Sequence, residues 1–104
     1  MSILIAEDDY DTATSYKREL EQRNHQLVIT DNGEDCLKVY PEQLHDISLK
    51  TNGSNLFPQP FDAVVLDYNM PRINRMKVAK EILAINPYQR IIFASAYVRD
   101  FSSL

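Results

Sequence analysis

The sequence has 104 residues, a length typical of one domain with a single hydrophobic core. Hydrophobic residues make up 44% and charged residues 25%, as in an ordinary globular protein rather than a disordered or fibrous one. The net charge of -4 and the scattered basic residues argue against a nucleic-acid-binding surface. No apolar run approaches the roughly 20 residues that cross a membrane, and we expect no signal peptide. A single cysteine, Cys36, excludes an internal disulfide and suits a reducing compartment, so we expect a cytoplasmic protein.

The first two predicted elements are a strand and a helix. The unbroken apolar run of Ser2–Ala6 is typical of a strand that is buried on both faces of a parallel sheet. Apolar residues, Tyr16 among them, recur at helical spacing in residues 11–23, and we expect Tyr16 to be a packing or surface residue rather than a ligand contact. Asp9 or Asp11 is expected to cap the helix, because a short carboxylate accepts hydrogen bonds from the first-turn amides.

A second strand and a second helix lead into a polar segment. Gln26–Thr30 predicts the strand, and Glu34 opens a helix that Pro41 either kinks or divides in two. Residues 49–60 are polar, turn-prone and interrupted by two prolines. We therefore expect a long surface loop inserted at 49–60.

The second half of the chain continues the alternation. We expect strands at 61–67 and 90–94, a helix at 73–85 and the start of a fourth helix at 97–104. Alternating strands and helices predict an α/β fold in which helices cover both faces of a parallel sheet.

Acidic residues directly follow two of the predicted strands. Glu7, Asp8 and Asp9 follow the first strand, and Asp67 ends the third. Parallel sheets bind ligands beyond the carboxyl ends of their strands, and the strand order 2-1-3-4 would bring Glu7, Asp8 and Asp67 into one cleft. Clustered carboxylates repel one another and need a cation, and their hard oxygen atoms suit Mg²⁺. The simpler interpretation is that these acids only cap helices and occupy turns.

Three segments of the sequence resemble the receiver domain of two-component response regulators. They are ILIAEDD at 3–9, FDAVVLDYNMP at 61–71 and IIFASA at 91–96. Each ends a predicted strand, in the order that this family shows, and only the loop at 49–60 falls outside the resemblance. The resemblance implies a flavodoxin-like, doubly wound parallel sheet with strand order 2-1-3-4.

The resemblance also implies roles for individual residues. Asp67 would accept a phosphoryl group from a histidine kinase or phosphotransfer protein and become an aspartyl phosphate. Asp8 would bind Mg²⁺ directly and Glu7 largely through a metal-bound water, while Asp67 and the backbone carbonyl of Asn69 would supply further oxygen ligands. Ser95 would be the switch hydroxyl, which donates to the phosphate and repositions the loop and helix behind it.

The sequence departs from the family pattern in two places. Receiver domains usually contain a fifth strand that ends in a lysine and a last helix, and neither is found before Leu104, so we expect an incomplete receiver domain over 1–104. The fourth strand would then be an apolar edge, and we expect a homodimer through it. Arg75 occupies the usual place of a glycine, which predicts a rearranged turn before the third helix.

These features predict a single-domain response regulator receiver that signals through a protein-interaction surface to an unknown downstream protein. We expect no enzyme acting on a separate substrate, because the family catalyses only its own phosphorylation and dephosphorylation. One alternative is a pseudo-receiver, a protein-binding module that keeps the fold but does not switch. A weaker alternative is a Mg²⁺-dependent phosphatase with Asp67 as nucleophile, in which Asn69 stands where a general acid is expected.

Overall fold

A computed structural model describes residues 1–50, 60–67, 70 and 72–94, except for the side chains of 48–50, 72 and 73. These residues form strands and helices in strict alternation: β1 (Ser2–Ala6), α1 (Tyr10–Gln22), β2 (Gln26–Thr30), α2 (Gly33–Lys50), β3 (Ala63–Leu66), α3 (Arg72–Ile85) and β4 (Ile91–Phe93). The fourth helix predicted at 97–104 and most of the loop predicted at 49–60 lie outside the described residues. Within the described ranges, none of the helices combines the length and apolar character that a membrane span requires.

The four strands form one parallel sheet in the order β2-β1-β3-β4. β1 lies in the middle and pairs with β2 from Ser2↔Gln26 to Ala6↔Thr30, and with β3 from Ile3↔Ala63 to Ala6↔Leu66. This arrangement confirms the predicted α/β fold with flavodoxin-like strand order 2-1-3-4.

The sheet separates two hydrophobic cores. Side chains alternate across each strand, so every second residue of β1 and β3 points to the same core. One core packs α2 and α3 against the sheet and includes Leu4, Val64, Leu66, Tyr40 and Ile82. The other packs α1 against the opposite face and includes Ile3, Ile5, Val65, Tyr16 and Leu20. Burial on both faces explains why the apolar runs of these strands are unbroken.

Several boundaries differ slightly from those expected. Asp9 is the N-cap of α1, which begins at Tyr10 rather than at residue 11. α2 runs through Pro41 as one helix to Lys50, so it occupies the first two positions of the predicted loop. Arg75 lies inside α3, where the backbone is helical, so this position requires no positive φ. α3 begins at Arg72, one residue before the predicted start at residue 73, so Arg75 belongs to the helix and not to a turn before it.

Candidate functional site

The carboxyl ends of β1 and β3 lie side by side and hold two acids at the same level. Their last residues, Ala6 and Leu66, are partners in the parallel register. The backbone N–H of Glu7 donates to the carbonyl of Thr30 at 2.9 Å, and the backbone N–H of Asp67 donates to the carbonyl of Ala6 at 3.1 Å. The sheet hydrogen bonds thus continue one residue past the strands and position both acids.

Glu7, Asp8 and Asp67 form the acidic cluster. Each offers a carboxylate oxygen, and these oxygens all lie within 4.8 Å of one another. Glu7 and Asp67 are buried, with 1% and 3% of their surface exposed, whereas Asp8 is exposed. The acidic cluster is therefore enclosed by protein around two of its members and open to solvent at the third.

The two carboxylate oxygens of Glu7 have different surroundings. Oε1 accepts a hydrogen bond from the backbone N–H of Asp9 at 2.9 Å. Oε2 is buried and has no hydrogen-bond partner among the described residues. Burial first, and then the neighbouring carboxylates of Asp67 and Asp8, raise the pKa of Glu7 to about 8. Glu7 thus carries a proton at neutral pH unless a positive charge is brought to the cluster.

Asp9, the third acid of the run that follows β1, belongs to the helix and not to the acidic cluster. Its carboxylate accepts from the backbone N–H of Thr12 at 3.0 Å and from the hydroxyl of the same residue. This contact satisfies one of the free amides at the start of α1. The capping interpretation of the acids, which is the simpler one, therefore holds for Asp9.

A tyrosine hydroxyl reaches the acidic cluster from α1. Tyr16 is 3% exposed, and its hydroxyl donates to Oδ1 of Asp67 at 3.3 Å. The sequence indicated a packing or surface role for Tyr16 and did not predict this contact. One signal for it was present: Tyr16 carries a hydroxyl and lies on the helix that follows the acids after β1.

Two of the predicted site residues, Asn69 and Ser95, lie outside the described residues. Met70 is described and buried, and its backbone N–H donates to the carbonyl of Asp67 at 3.3 Å. The structure brings Glu7, Asp8 and Asp67 together, but the roles of all five residues stay predictions.

The acidic cluster has the features of a site for a small, hard divalent cation. Three carboxylates converge on one point, one buried oxygen of Glu7 has no partner among the described residues, and the opening at Asp8 provides a path to solvent. Oxygen ligands of this kind, in a site that leaves room for water, suit Mg²⁺.

Comparison with known proteins agrees with this architecture. The family model described as "Response regulator receiver domain" matches residues 3–103. No match was found among curated protein sequences.

Several solved structures are similar to this chain. One contains a mutant of the receiver domain of the histidine kinase CKI1 from Arabidopsis thaliana, at 17% identity and a TM-score of 0.77, covering 95% of this chain and 67% of that chain. A chain in the complex of histidine kinase ThkA with response regulator protein TrrA is 29% identical with a TM-score of 0.63, covering 97% and 73%. The CKI1 receiver domain complexed with Mg²⁺ and BeF₃⁻ is 17% identical with a TM-score of 0.69, covering 98% and 70%.

Proposed function

We propose that this chain, which belongs to the response regulator receiver domain family, is a Mg²⁺-dependent phosphoacceptor of two-component signalling. The observation that carries the proposal is the convergence of the carboxylates of Glu7, Asp8 and Asp67 at the ends of β1 and β3. Three acids this close destabilise a fold unless a cation offsets their repulsion, and a cation bound beside a nucleophilic carboxylate also favours attack on a phosphoryl group.

Asp67 supplies the nucleophile in this proposal. One of its carboxylate oxygens attacks the phosphorus of a phosphohistidine on the partner protein. The P–N bond breaks, its electron pair stays with the imidazole, and Asp67 becomes an aspartyl phosphate. In dephosphorylation, which is a separate reaction, water attacks the phosphorus, the P–O bond to Asp67 breaks, and the carboxylate is restored as inorganic phosphate and a proton leave.

Asp8 and Asp67 would hold Mg²⁺ directly, and Glu7 would act largely through a metal-bound water. When bound, the ion offsets the repulsion between the carboxylate of Asp67 and the incoming phosphoryl oxygens. The complex of the CKI1 receiver domain with Mg²⁺ and BeF₃⁻ supports the choice of this ion. The carbonyl of Asn69 as a further ligand and Ser95 as the switch hydroxyl complete the proposed site.

The partner that supplies the phosphoryl group would be a histidine kinase or a phosphotransfer protein. The similarity to a chain in the complex of ThkA with TrrA supports a partner of this kind. The chain would act on no separate substrate, and its output would be a changed protein-interaction surface that a downstream protein recognises.

Phosphorylation by a small donor tests the proposal directly. The protein is incubated with Mg²⁺ and acetyl phosphate, and intact mass is followed over time. We expect a gain of one phosphoryl group, which an Asp67→Asn variant does not show. Beryllofluoride with Mg²⁺ should raise the melting temperature of the wild type but not of the variant, because a ligand of the folded state stabilises it.

The other outcomes separate the alternatives. A folded protein that gains no mass and shows no thermal shift with either reagent is a non-switching pseudo-receiver. Sustained release of phosphate from a generic phosphomonoester, dependent on Asp67, would identify a phosphatase. Either result contradicts the proposed function.

We also propose a homodimer through the edge of β4. β4 is the last strand of the described sheet, Ile91 and Ile92 are partly exposed, and the side chain of Phe93 is 47% exposed. An apolar edge of this kind favours pairing with a second chain. Sedimentation velocity should show a dimer that an Ile92→Lys variant weakens, and a wild type that sediments only as a monomer contradicts the proposal.

A further inference from the structure

We infer that Tyr16 is a positioning residue for phosphoryl transfer: its hydroxyl orients the carboxylate of Asp67 for attack on phosphorus. The inference rests on the proposed role of Asp67 as phosphoacceptor. It adds to that role a residue of α1, which lies 51 positions away in the sequence.

The position of the Tyr16 hydroxyl is set by the packing of its ring. The ring belongs to the core on the α1 side of the sheet, together with Ile3, Ile5, Leu20 and Val65. Val65 lies in β3, two residues before Asp67, so the ring packs beside the backbone that leads to this carboxylate. A side chain that is 3% exposed has little freedom to rotate, so its hydroxyl stays at 3.3 Å from Oδ1.

The chemical character of this contact suits an orienting role. Asp67 faces the carboxyl groups of Glu7 and Asp8, and the exposed carboxylate of Asp8 repels its charge. The hydroxyl of Tyr16 donates a hydrogen bond to that charge from the α1 side. As a neutral donor it brings no charge that would oppose the binding of a cation.

Orientation matters because the attacking oxygen must lie in line with the bond that breaks. A carboxylate that rotates about its Cβ–Cγ bond spends less time in line with the phosphorus. The hydrogen bond from Tyr16 to Oδ1 limits this rotation and thereby sets the direction of Oδ2. The donor–acceptor distance of 3.3 Å is long for an O–H···O bond, so we expect a moderate effect on rate.

The test compares two variants that each lose one buried tyrosine hydroxyl. Tyr16→Phe removes the contact with Asp67 and keeps the ring. Tyr40→Phe is the matched control, because Tyr40 is also fully buried and its hydroxyl also makes a hydrogen bond, at 2.7 Å to Oε1 of Gln89, away from the acidic cluster. Initial rates of phosphorylation are measured by intact mass over a range of acetyl phosphate at saturating Mg²⁺.

We expect Tyr16→Phe to lower the maximal rate about threefold to tenfold, with little change in half-saturating donor or Mg²⁺ concentration. Tyr40→Phe should stay within about twofold of the wild-type rate although it too loses a buried hydrogen bond. A wild-type maximal rate in Tyr16→Phe overturns the inference, and so does an equal slowing in both variants, which would indicate general loss of packing. If the wild type itself gains no phosphoryl group, the proposed function fails together with the inference.

Tyrosine fluorescence gives a second readout that does not depend on turnover. The sequence has six tyrosines and no tryptophan, so tyrosine emission is not masked. Beryllofluoride with Mg²⁺ is expected to change the charge around Asp67, which accepts the hydrogen bond from the Tyr16 hydroxyl. Tyrosine emission should therefore change in the wild type and in Tyr40→Phe. An undiminished change in Tyr16→Phe contradicts the inference.

Discussion

The protein contains two buried polar clusters with opposite electrostatics. The neutral cluster, formed by Tyr40, Asn86 and Gln89, lies just before β4. Its hydrogen bonds are complementary: the Tyr40 hydroxyl donates to Gln89 Oε1 at 2.7 Å and accepts from Asn86 Nδ2 at 3.2 Å, and Gln89 Nε2 donates to the carbonyl of Arg90 at 3.0 Å. Such a cluster stabilises the fold, because each buried polar group recovers the hydrogen bonds that it loses to solvent.

The acidic cluster, at the carboxyl ends of the strands, has no such balance. The carboxyl groups of Glu7, Asp8 and Asp67 are crowded together there, and Oε2 of Glu7 has no hydrogen-bond partner among the described residues. Burial of polar groups therefore has two different consequences in this domain. The neutral cluster contributes to stability, whereas the acidic cluster lowers stability in the absence of a cation, a cost that the proposed function would explain.

The largest change in unfolding free energy is expected from a substitution that breaks the neutral cluster. Asn86→Ala removes the amide that donates to Tyr40 and the oxygen that accepts from the backbone N–H of Tyr88 at 3.1 Å. The variant should lose about 2–3 kcal/mol of unfolding free energy, because the buried hydroxyl of Tyr40 loses one of its two hydrogen bonds and the backbone N–H of Tyr88 loses its bond to Asn86. Urea unfolding measures the loss, and a change well below 1 kcal/mol would contradict this account of the cluster.

The next effect has the opposite sign and comes from the acidic cluster. Glu7→Gln should stabilise the metal-free protein at pH 8 by on the order of 2 kcal/mol, because it removes a charge that burial and two neighbouring carboxylates oppose. Glu21→Gln on the exposed face of α1 is the control and should change little.

The sign of the pH dependence follows from the raised pKa. Between the ordinary value of 4.5 and the folded-state value of about 8, the folded protein keeps a proton on Glu7 that the unfolded chain has lost. The free energy of unfolding should therefore fall as pH rises through this range and level off above it. The gain from Glu7→Gln should grow from pH 5 to pH 8, and a gain that stays constant over this range would contradict the prediction.

A smaller effect links the acidic cluster to its ion. Binding of Mg²⁺ has to displace the proton of Glu7 below pH 8, so the apparent affinity should rise severalfold per pH unit between pH 6 and pH 8. Isothermal titration calorimetry at a series of pH values measures the affinity for Mg²⁺. The affinity of the Glu7→Gln variant should vary less with pH than that of the wild type. Equal wild-type affinities at pH 6 and pH 8 would contradict the coupling.

The smallest effect sharpens the contrast between the two tyrosines. Tyr40→Phe should cost about 1 kcal/mol of unfolding free energy and leave the affinity for Mg²⁺ unchanged, because the neutral cluster does not contact the acids. Thermal denaturation with and without Mg²⁺ measures both quantities. A loss of the Mg²⁺-dependent shift in this variant would mean that the two clusters are coupled.

The sequence predicted the sheet and the proximity of Glu7 to Asp67. Both depend on short-range hydrophobic patterns and on the rule that the carboxyl ends of parallel strands meet at one edge of a sheet. Strands β1 and β2 have the predicted bounds, whereas β3 and β4 are shorter at both ends than the predicted 61–67 and 90–94, so Asp67 follows β3 rather than ending it. Parallel pairing of β1 with β3 then brings the two acids to the same edge.

Features that depend on distances between elements were not predictable in the same way. Helical spacing groups Tyr16 with the apolar residues of α1, but it does not say how close α1 packs to the sheet, which decides whether the hydroxyl reaches Asp67. Pro41 allowed either a kinked helix or two helices, and the structure shows one helix that runs through it. Asp9 and Asp11 were both suitable caps, and only the backbone geometry distinguishes them.

The pairing of β1 with β3 also has a consequence for folding kinetics. Ile3 and Ala63 are neighbours in the sheet although a whole strand and two helices separate them in the chain, so their contact requires the closure of a long loop. Local pieces such as α1 can form quickly, but Glu7 and Asp67 meet only when this slow step is complete. A nascent or partly folded chain therefore exposes separate carboxylates, and under the proposed function the competence to receive a phosphoryl group would arise together with the finished central sheet.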